Sequence, residues 1–343
     1  MAKSAKRSGH QAGAPRASRL RAWLTDVGDG RRRLGMSALR ALVVVLGIVG
    51  LVAGLRLLRR HVLQTRYRGS QGRAAVQLTR TPRWMPEALA WHIVEELTPR
   101  GASLADADLA QTVYERAAAN PWVRRVGRVR VRPNTDAPGG VVRCELTFRR
   151  PAARVRVGSR HVYVDAEGVR LPISHVPLWV VTLQDGRGQT VRQVSYLARG
   201  QVPDAWRAAA RRIHYVTLDG VSSSPPPPGW KWNADDLAAG LRLVTLVRQR
   251  AYYAQISLID VRNHAGRITR DEPDLRMYAQ IGRGRPTDIR FGRFPAPGGG
   301  DYIIGPQRKL SYLDEYAAEH GGRLAGEHAY LDLRYDELHV SIN

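Results

Sequence analysis

The chain of 343 residues contains one cysteine, Cys144, and this scarcity excludes an internal disulfide framework. A catalytic thiol needs a cationic, partly exposed site with a base nearby. Cys144 lies instead in an alternating segment, residues 141–148, where Val142, Leu146 and Phe148 share its face. We therefore expect the thiol to be a buried, unreactive core group.

Sequence motifs of common enzymes are missing as well. The histidines are scattered and form no H-x-x-x-H or H-E-x-x-H pair suited to zinc, and no G-x-S-x-G elbow occurs. Gly282 and Gly284 form a G-x-G pair, but no helix pattern follows to complete a nucleotide fingerprint. The acidic group Asp271, Glu272 and Asp274 matches no calcium loop and indicates a solvated turn. We therefore predict no catalytic residues, no metal site and no cofactor.

Acidic residues are few, with 30 Asp and Glu against 54 Lys and Arg, and the formal net charge is +24. Lysine is scarce, so arginine carries the excess, which a G+C-rich genome explains as well as arginine-specific chemistry does. Such a charge favours an anionic partner such as nucleic acid, lipid or an acidic polymer. Residues 1–36 form a basic tail that we expect to be disordered. Contact of Arg31, Arg32 and Arg33 with anionic lipid accounts for its charge without specific nucleic-acid binding.

One long apolar run follows the tail, and no second one occurs. Residues 41–55 are uncharged, and extension to residues 37–58 adds only Arg40 and Arg56 near the ends. A membrane core needs about 20 residues, and terminal arginines can reach the headgroups. A cleaved signal peptide is the alternative, although no small-x-small cleavage site follows. The Lys and Arg bias predicts a single-pass inner-membrane anchor with a cytoplasmic N-terminus and extracytoplasmic domains.

Residues 73–150 carry the periodicity of a strand, two helices and two strands. "AAVQL" is a short strand, Pro86 suits the first position of a helix, and a Ser-x-x-Asp pattern at Ser103 precedes a second helix. Asn120-Pro121 stops that helix, because proline cannot continue it. "WVRRVGRVRV" and "VVRCELTF" then alternate as strands around the turn-rich "RPNTDAPGG".

Residues 151–343 predict a mostly antiparallel β domain with flanking helices. A hairpin contains Asp165 and Glu167 just before Gly168, which indicates turn chemistry rather than a catalytic carboxylate pair. Residues 222–228 are Ser- and Pro-rich, and either mark a domain boundary or form an insertion in a surface loop.

The remaining pattern runs from a helix to a final strand. Asn233 is predicted to cap the helix, and four short strands follow as "AQISLIDV", "LRMYAQIG", "TDIRFG" and "DYIIG". A last helix, "PQRKLSYLDEYAAEH", ends at Gly321-Gly322. The final strand "AYLDLRYDELHV" alternates, with Leu331 and Leu333 on one face.

An ordered set of motifs resembles the FtsQ/DivIB family of bacterial cell-division proteins. In the first module these are "NPWV" (Asn120, Pro121, Trp122 and Val123), "RVRVRPNT" and "FRRPAARV". The acidic residue of the family's Glu-Arg-x-Pro-x-Ala pattern is Phe148 here, which is a departure.

Later motifs follow in the family's order. They are "VYVDAEGVRLP", the pair Phe291-Gly292, a "KLxxL" helix with Lys309, Leu310 and Leu313, and the terminal "DLRY". The resemblance implies an α+β protein with a single N-terminal transmembrane helix, a β-α-α-β-β POTRA domain and an FtsQ-type β domain.

The resemblance also implies a function. Such a protein is a non-catalytic divisome scaffold in the cytoplasmic membrane at the division site. It binds small bitopic proteins of the FtsB and FtsL type by β-strand augmentation, and links early and late septation components. The implied partner-binding residues lie on the last strand, at the edge of its sheet: Tyr330, Leu331, Asp332, Leu333, Arg334, Tyr335 and Leu338.

The sequence is also compatible with two other classes of function. One is an extracytoplasmic envelope protein or wall-acting enzyme that has a POTRA-like module and an unrecognised site. The other is a DNA- or lipid-binding protein driven by its basic charge. Small-molecule substrates have no motif in their favour.

Overall fold

The computed structural model divides the chain into two units, Met1–Gly69 and Ser70–Asn343. The residues that it describes are 46–58, 74–101, 103–104, 106–133, 140–296 and 303–341. The predicted tail, with Arg31, Arg32 and Arg33, and the first part of the predicted span lie outside these residues.

In the first unit, residues 46–58 form helix α1, and all of their side chains are exposed. The apolar residues among them include Leu46, Ile48 and Leu51, each more than half exposed. Within the described part of the chain, no helix has the length and apolarity that a membrane crossing requires.

The second unit begins with a three-stranded sheet and two helices, which we call the first module. Strand β1 (Ala75–Leu78) is followed by α2 (Glu87–Leu97), α3 (Leu109–Ala119), β2 (Val123–Pro133) and β3 (Gly140–Phe148). The sheet order is β1-β3-β2, with β1 parallel and β2 antiparallel to β3. This is the predicted order of elements.

The core of the first module follows the predicted helical spacing. Burial on the two helices is confined to one stripe each: Leu89, Ile93 and Leu97 on α2, and Leu109, Val113 and Ala117 on α3. Cys144 is fully buried on β3, and burial raises the pKa of its thiol to about 11. The prediction that this cysteine is a core residue is confirmed.

The turn between α3 and β2 is held by Asn120. Its side-chain oxygen accepts a hydrogen bond from the Trp122 N–H at 2.9 Å, and its amide nitrogen donates to Glu96 of α2 at 2.6 Å. Trp122 is 1% exposed, and Val123, which starts β2, is also buried. In this chain the "NPWV" residues therefore fix the first module internally.

The second module consists of a large sheet, a small sheet and two helices. Its strands are β4 (Pro151–Val157), β5 (Arg160–Asp165), β6 (Arg170–Leu171), β7 (Trp179–Gln184), β8 (Thr190–Tyr196), β9 (Arg211–Arg212), β10 (Thr217–Asp219), β11 (Ile256–Asp260), β12 (Arg276–Ala279), β13 (Thr287–Arg290), β14 (Tyr330–Asp332) and β15 (His339–Val340). Its helices are α4 (Asp235–Val247) and α5 (Pro306–Glu319).

The large sheet has nine strands in the order β15-β14-β13-β12-β11-β10-β4-β5-β6. Strand β10 is parallel to both β4 and β11, and β14 is parallel to β13. The other neighbouring strands are antiparallel, so the sheet is mixed but mostly antiparallel. The α+β class is confirmed.

Both long helices of the second module bury apolar residues in the core of the large sheet. Helix α4 contributes Leu237, Leu241 and Val244, and α5 contributes Leu310 and Leu313. Each set recurs at three- or four-residue spacing, so each helix presents one apolar face to the strands.

The small sheet was not predicted. Its order is β8-β7-β9, and a small core around Val181, Val202 and Ala210 supports it. The β7–β8 hairpin turns at Asp185, whose side chain accepts the N–H groups of Arg187 and Gln189.

Two segments that join regular elements are a turn and a loop. Asp165 accepts the N–H groups of Glu167 and Val169, and Gly168 has a φ of +79°, so this segment is a turn. Residues 222–228 lie between β10 and α4 inside one compact unit, which favours the surface-loop alternative over a domain boundary.

Four local predictions are wrong. Pro86 is the N-cap of α2, not its first residue. The N-cap of α4 is Ala234, not Asn233. Residues 303–305 of "DYIIG" are not a strand, and residues 301–302 lie outside the described part. The last strand ends at Asp332, because the chain bends at residues 334–337 and returns as β15. Strand β14 is therefore not at the edge of the sheet.

Candidate partner-binding edge

The large sheet ends in a short hairpin, which we call the carboxy-terminal edge: β14, residues 333–338 and β15. On one side β14 pairs with β13, with Ile289 opposite Leu331. On the other side it pairs with β15, with Val340 opposite Leu331. Among the strands that the structure describes, none pairs with the outer side of β15, so β15 is the open strand of this hairpin.

Residues at the end of β15 close the hairpin. The Ser341 N–H donates to the Tyr330 carbonyl at 3.2 Å, and the Ala329 N–H donates to the Ser341 hydroxyl at 2.8 Å. Since bonding alternates along an antiparallel pair, the bond at Ser341 turns the N–H and C=O of Val340 away from β14. Val340 and His339 are both exposed.

The seven residues predicted to bind a partner fall into two groups. Three are buried in the free protein: Leu331 and Leu333 are fully buried, and Asp332 is 3% exposed. Tyr330, Arg334 and Leu338 are half-buried, while Tyr335 is 48% exposed. The buried three offer a partner neither side chain nor main chain, because β14 is already paired with β13 and with β15.

A charged network surrounds Asp332. Arg334 donates to its carboxylate from Nε at 2.9 Å and from Nη2 at 2.8 Å, and Nη1 of Arg290 lies 3.7 Å away. The hydrogen bond to Asp332 raises the pKa of Arg334. Arg290 also covers the Tyr330 ring, with its guanidinium carbon 4.0 Å from the ring centre. The network thus holds one face of β14 in place, the face opposite Leu331 and Leu333.

Gly292 makes room for this network. Its φ is +73°, a conformation that favours glycine, and an added Cβ would lie 2.9 Å from Cγ of Arg334. The Phe291-Gly292 pair of the sequence therefore has a local reason here: the backbone approaches Arg334 closely.

Lys309 is buried beneath the same strands. It is 2% exposed, and its Nζ donates to the carbonyls of Phe291 at 2.7 Å and of Arg293 at 3.1 Å. Burial lowers the pKa of Lys309 to about 8, and the nearby Asp332 carboxylate offsets only part of this effect. The lysine of the "KLxxL" pattern thus ties α5 to the chain that follows β13.

Replacing Lys309 with methionine should remove a pH dependence of stability. Below about pH 8 Lys309 is protonated in the folded and unfolded states, so the cost of burying the charge is constant. As the pH rises through about 8 the folded protein releases this proton, while the unfolded chain keeps it to about 10.5. Wild-type stability should therefore rise relative to Lys309→Met, by about 1.5 kcal/mol between pH 8 and pH 9.5. Urea titrations of both proteins measure this.

The exposed lysine of the same module provides the matched control. Lys231→Met removes an exposed lysine by the same substitution, so the pH profile of Lys309→Met is compared with that of this variant as well as with the wild type. A wild-type to Lys309→Met difference that stays constant over this pH range would contradict the assignment of a lowered pKa to Lys309.

A cleft of about 270 Å³ lies beside the network, and its carboxylates already have partners. Glu272 pairs with Arg276 at 2.9 Å, and Asp274 accepts the Ala265 N–H at 3.1 Å. Of the acidic group predicted as a solvated turn, Asp271 and Glu272 are exposed, whereas Asp274 is buried.

Sequence reasoning missed the outermost residues of the edge. The sequence pattern predicts His339 and Val340 as the end of one continuous strand, and it gives no sign that Arg290 lies against this edge. The signal for the bend was weak: Asp336 and Glu337 interrupt the apolar alternation, but so do other polar residues in this strand. A tertiary contact fixes the bend: the hydroxyl of Tyr312 on α5 donates a hydrogen bond to the Asp336 carbonyl.

No protein-family model matches the chain, and no curated protein matches it.

Proposed function

We propose that the chain is a non-catalytic scaffold of the FtsQ/DivIB type in bacterial cell division. In this proposal residues 37–58 anchor it in the cytoplasmic membrane as a single span, and the basic tail contacts anionic lipid in the cytoplasm. The first module acts as a POTRA domain and the second as the partner-binding β domain outside the membrane. The ordered motifs and the observed β-α-α-β-β order of the first module support this assignment.

The observation that carries the proposal is the open outer side of β15. A bitopic partner of the FtsB or FtsL type adds a strand there, using main-chain hydrogen bonds for affinity and alternate side chains for specificity. Val340 presents its N–H and C=O, and Tyr335 and His339 lie beside it with ring centres 4.5 Å apart. A strand of two residues is a short edge, which protects the free protein from indiscriminate pairing.

Replacing Val340 with proline should weaken partner binding about two- to tenfold. Proline removes the outward N–H, and one main-chain hydrogen bond contributes about 0.5–1.5 kcal/mol, or up to tenfold in affinity. The measurement is binding of the full chain to the extracytoplasmic segment of the FtsB-type protein from the same genome.

Val191→Pro is the matched control, since Val191 is also an exposed valine on an edge strand, β8 of the small sheet. It should bind the partner like the wild type. Unchanged affinity of Val340→Pro, or an equal loss in Val191→Pro, would rule out strand addition at β15.

A further inference from the structure

Three metal-ligating side chains meet where the last helix approaches the carboxy-terminal edge. His320 directly follows α5, and Glu327 and His328 directly precede β14. Each of the three side chains offers one ligand atom, and these three atoms lie within 4.8 Å of one another. His320 and His328 are half-buried and Glu327 is exposed, so the cluster is reachable from solvent.

The hydrogen bonds of the two rings fix which nitrogen is free. Nδ1 of His320 lies 2.7 Å from the Tyr316 carbonyl, and Nδ1 of His328 lies 2.9 Å from the Ser341 carbonyl. A carbonyl oxygen only accepts, so each Nδ1 carries the proton. In the neutral rings Nε2 is then the basic nitrogen, which is the usual arrangement of histidine ligands to zinc.

One contact in the cluster needs a cation. Nε2 of His320 lies 2.9 Å from a carboxylate oxygen of Glu327. With Nδ1 already protonated, a neutral ring would place a lone pair against that oxygen. A second proton relieves this repulsion, and so does a metal ion coordinated by both atoms once they move slightly apart.

Second contacts hold the ligands in place before any ion binds. The His320 ring stacks on Tyr316, with ring centres 3.9 Å apart. Thr287 of β13 donates from its hydroxyl to the His328 carbonyl at 2.8 Å and accepts the Gly326 N–H at 3.3 Å. These contacts fix the backbone on both sides of Glu327.

We propose that His320, Glu327 and His328 bind one zinc ion, which fastens the end of α5 to the carboxy-terminal edge. Two histidines and one carboxylate suit Zn²⁺ at about 2.0–2.2 Å, and a fourth position stays open for water or for a partner's ligand. The His328 contact with Ser341 extends the effect of the ion to the end of β15.

Titration of the full chain with Zn²⁺ tests this site. The protein is purified without a polyhistidine tag, freed of metal and titrated in competition with a chromophoric chelator. The wild type should bind one zinc ion per chain at this site. His320→Ala, His328→Ala and Glu327→Gln should each lower the affinity by about 100-fold or more, since even loss of a residue that orients a ligand costs about 10–100-fold.

His161→Ala, which changes a histidine on β5, is the control and should bind zinc like the wild type. Glu327→Gln guards against misfolding, because it changes an exposed side chain. Hydrogen exchange gives a second readout: zinc should slow exchange of the Ser341 N–H in the wild type and not in Glu327→Gln. Equal zinc affinity in the wild type and all three site variants, or no zinc effect on Ser341 exchange, would overturn the proposal. The partner is absent from this assay, so its result is independent of the proposed scaffold function.

Discussion

Replacing Asp332 with alanine is expected to lower the free energy of unfolding by about 3 kcal/mol. Asp332 is 3% exposed, and its carboxylate accepts hydrogen bonds from Nε and Nη2 of Arg334 at 2.9 and 2.8 Å. Its removal leaves Arg334, Arg290 and the buried Lys309 close together without the anion that they share. Loss of one partner from a buried ion pair costs about 3–5 kcal/mol, and the partly solvated arginines place this case at the lower end. Urea titration followed by circular dichroism measures the change.

Two variants control for this prediction. Glu337→Ala removes a carboxylate that is 85% exposed, only five residues away, and should change stability by less than about 0.5 kcal/mol. Asp332→Asn keeps an acceptor oxygen for Arg334, so it should lose less than the alanine variant. If Asp332→Ala unfolds like Glu337→Ala, the network does not hold β14 in place.

A comparison of Asp332→Ala with Val340→Pro separates folding from partner binding at the carboxy-terminal edge. Truncation before Ala329 would delete Leu331 and Leu333, both fully buried, and would damage the core together with any interface. Val340→Pro changes an exposed residue beyond that core. A loss of binding in Val340→Pro without a loss of stability, beside a loss of stability in Asp332→Ala, would assign the two roles to different residues of one hairpin.

The helices and strands with regular apolar spacing were predictable, because that spacing indicates which face of each element is buried. Leu89, Ile93 and Leu97 predicted a helix face, and Cys144 predicted the inner face of a strand, and each is fully buried. The end of β14 was not predictable in this way. Leu331, Leu333 and Tyr335 continue the alternation past Asp332, while contacts from residues far along the chain bend it away.

The histidine cluster was missed for a related reason. Familiar zinc motifs place ligands on one helix or one turn, whereas His320 and His328 are separated by a glycine-rich loop. That loop is shaped by Gln255, which donates to the Gly322 carbonyl at 2.6 Å and accepts the Leu324 N–H at 2.8 Å. The sequence gives only a weak indication of the cluster. His320, Gly321 and Gly322 directly follow α5, and the pair Glu327-His328 comes a few residues later.

Replacing Trp122 with alanine should cost about 4 kcal/mol, a larger loss than any other predicted here. The indole is 1% exposed at the start of β2, and its backbone joins two turns: its N–H donates to Asn120, and its carbonyl accepts the Arg149 N–H at 2.8 Å. Truncation of a buried tryptophan removes apolar contacts and leaves a cavity. Hydrogen exchange should be faster throughout β2 and β3, and urea titration should give the size of the loss.

Two further tryptophan variants make this prediction specific. Trp91→Ala removes a side chain that is 66% exposed on α2, and should change stability by less than about 0.5 kcal/mol. Trp122→Phe keeps a ring and removes an indole N–H that has no acceptor among the described residues, so it should cost much less than the alanine variant. Equal unfolding of Trp122→Ala and Trp91→Ala would contradict a packing role for Trp122. Arg149 also binds Asp165 at 2.8 Å, so we expect loosening of β3 to reach the turn after β5 before it reaches the carboxy-terminal edge.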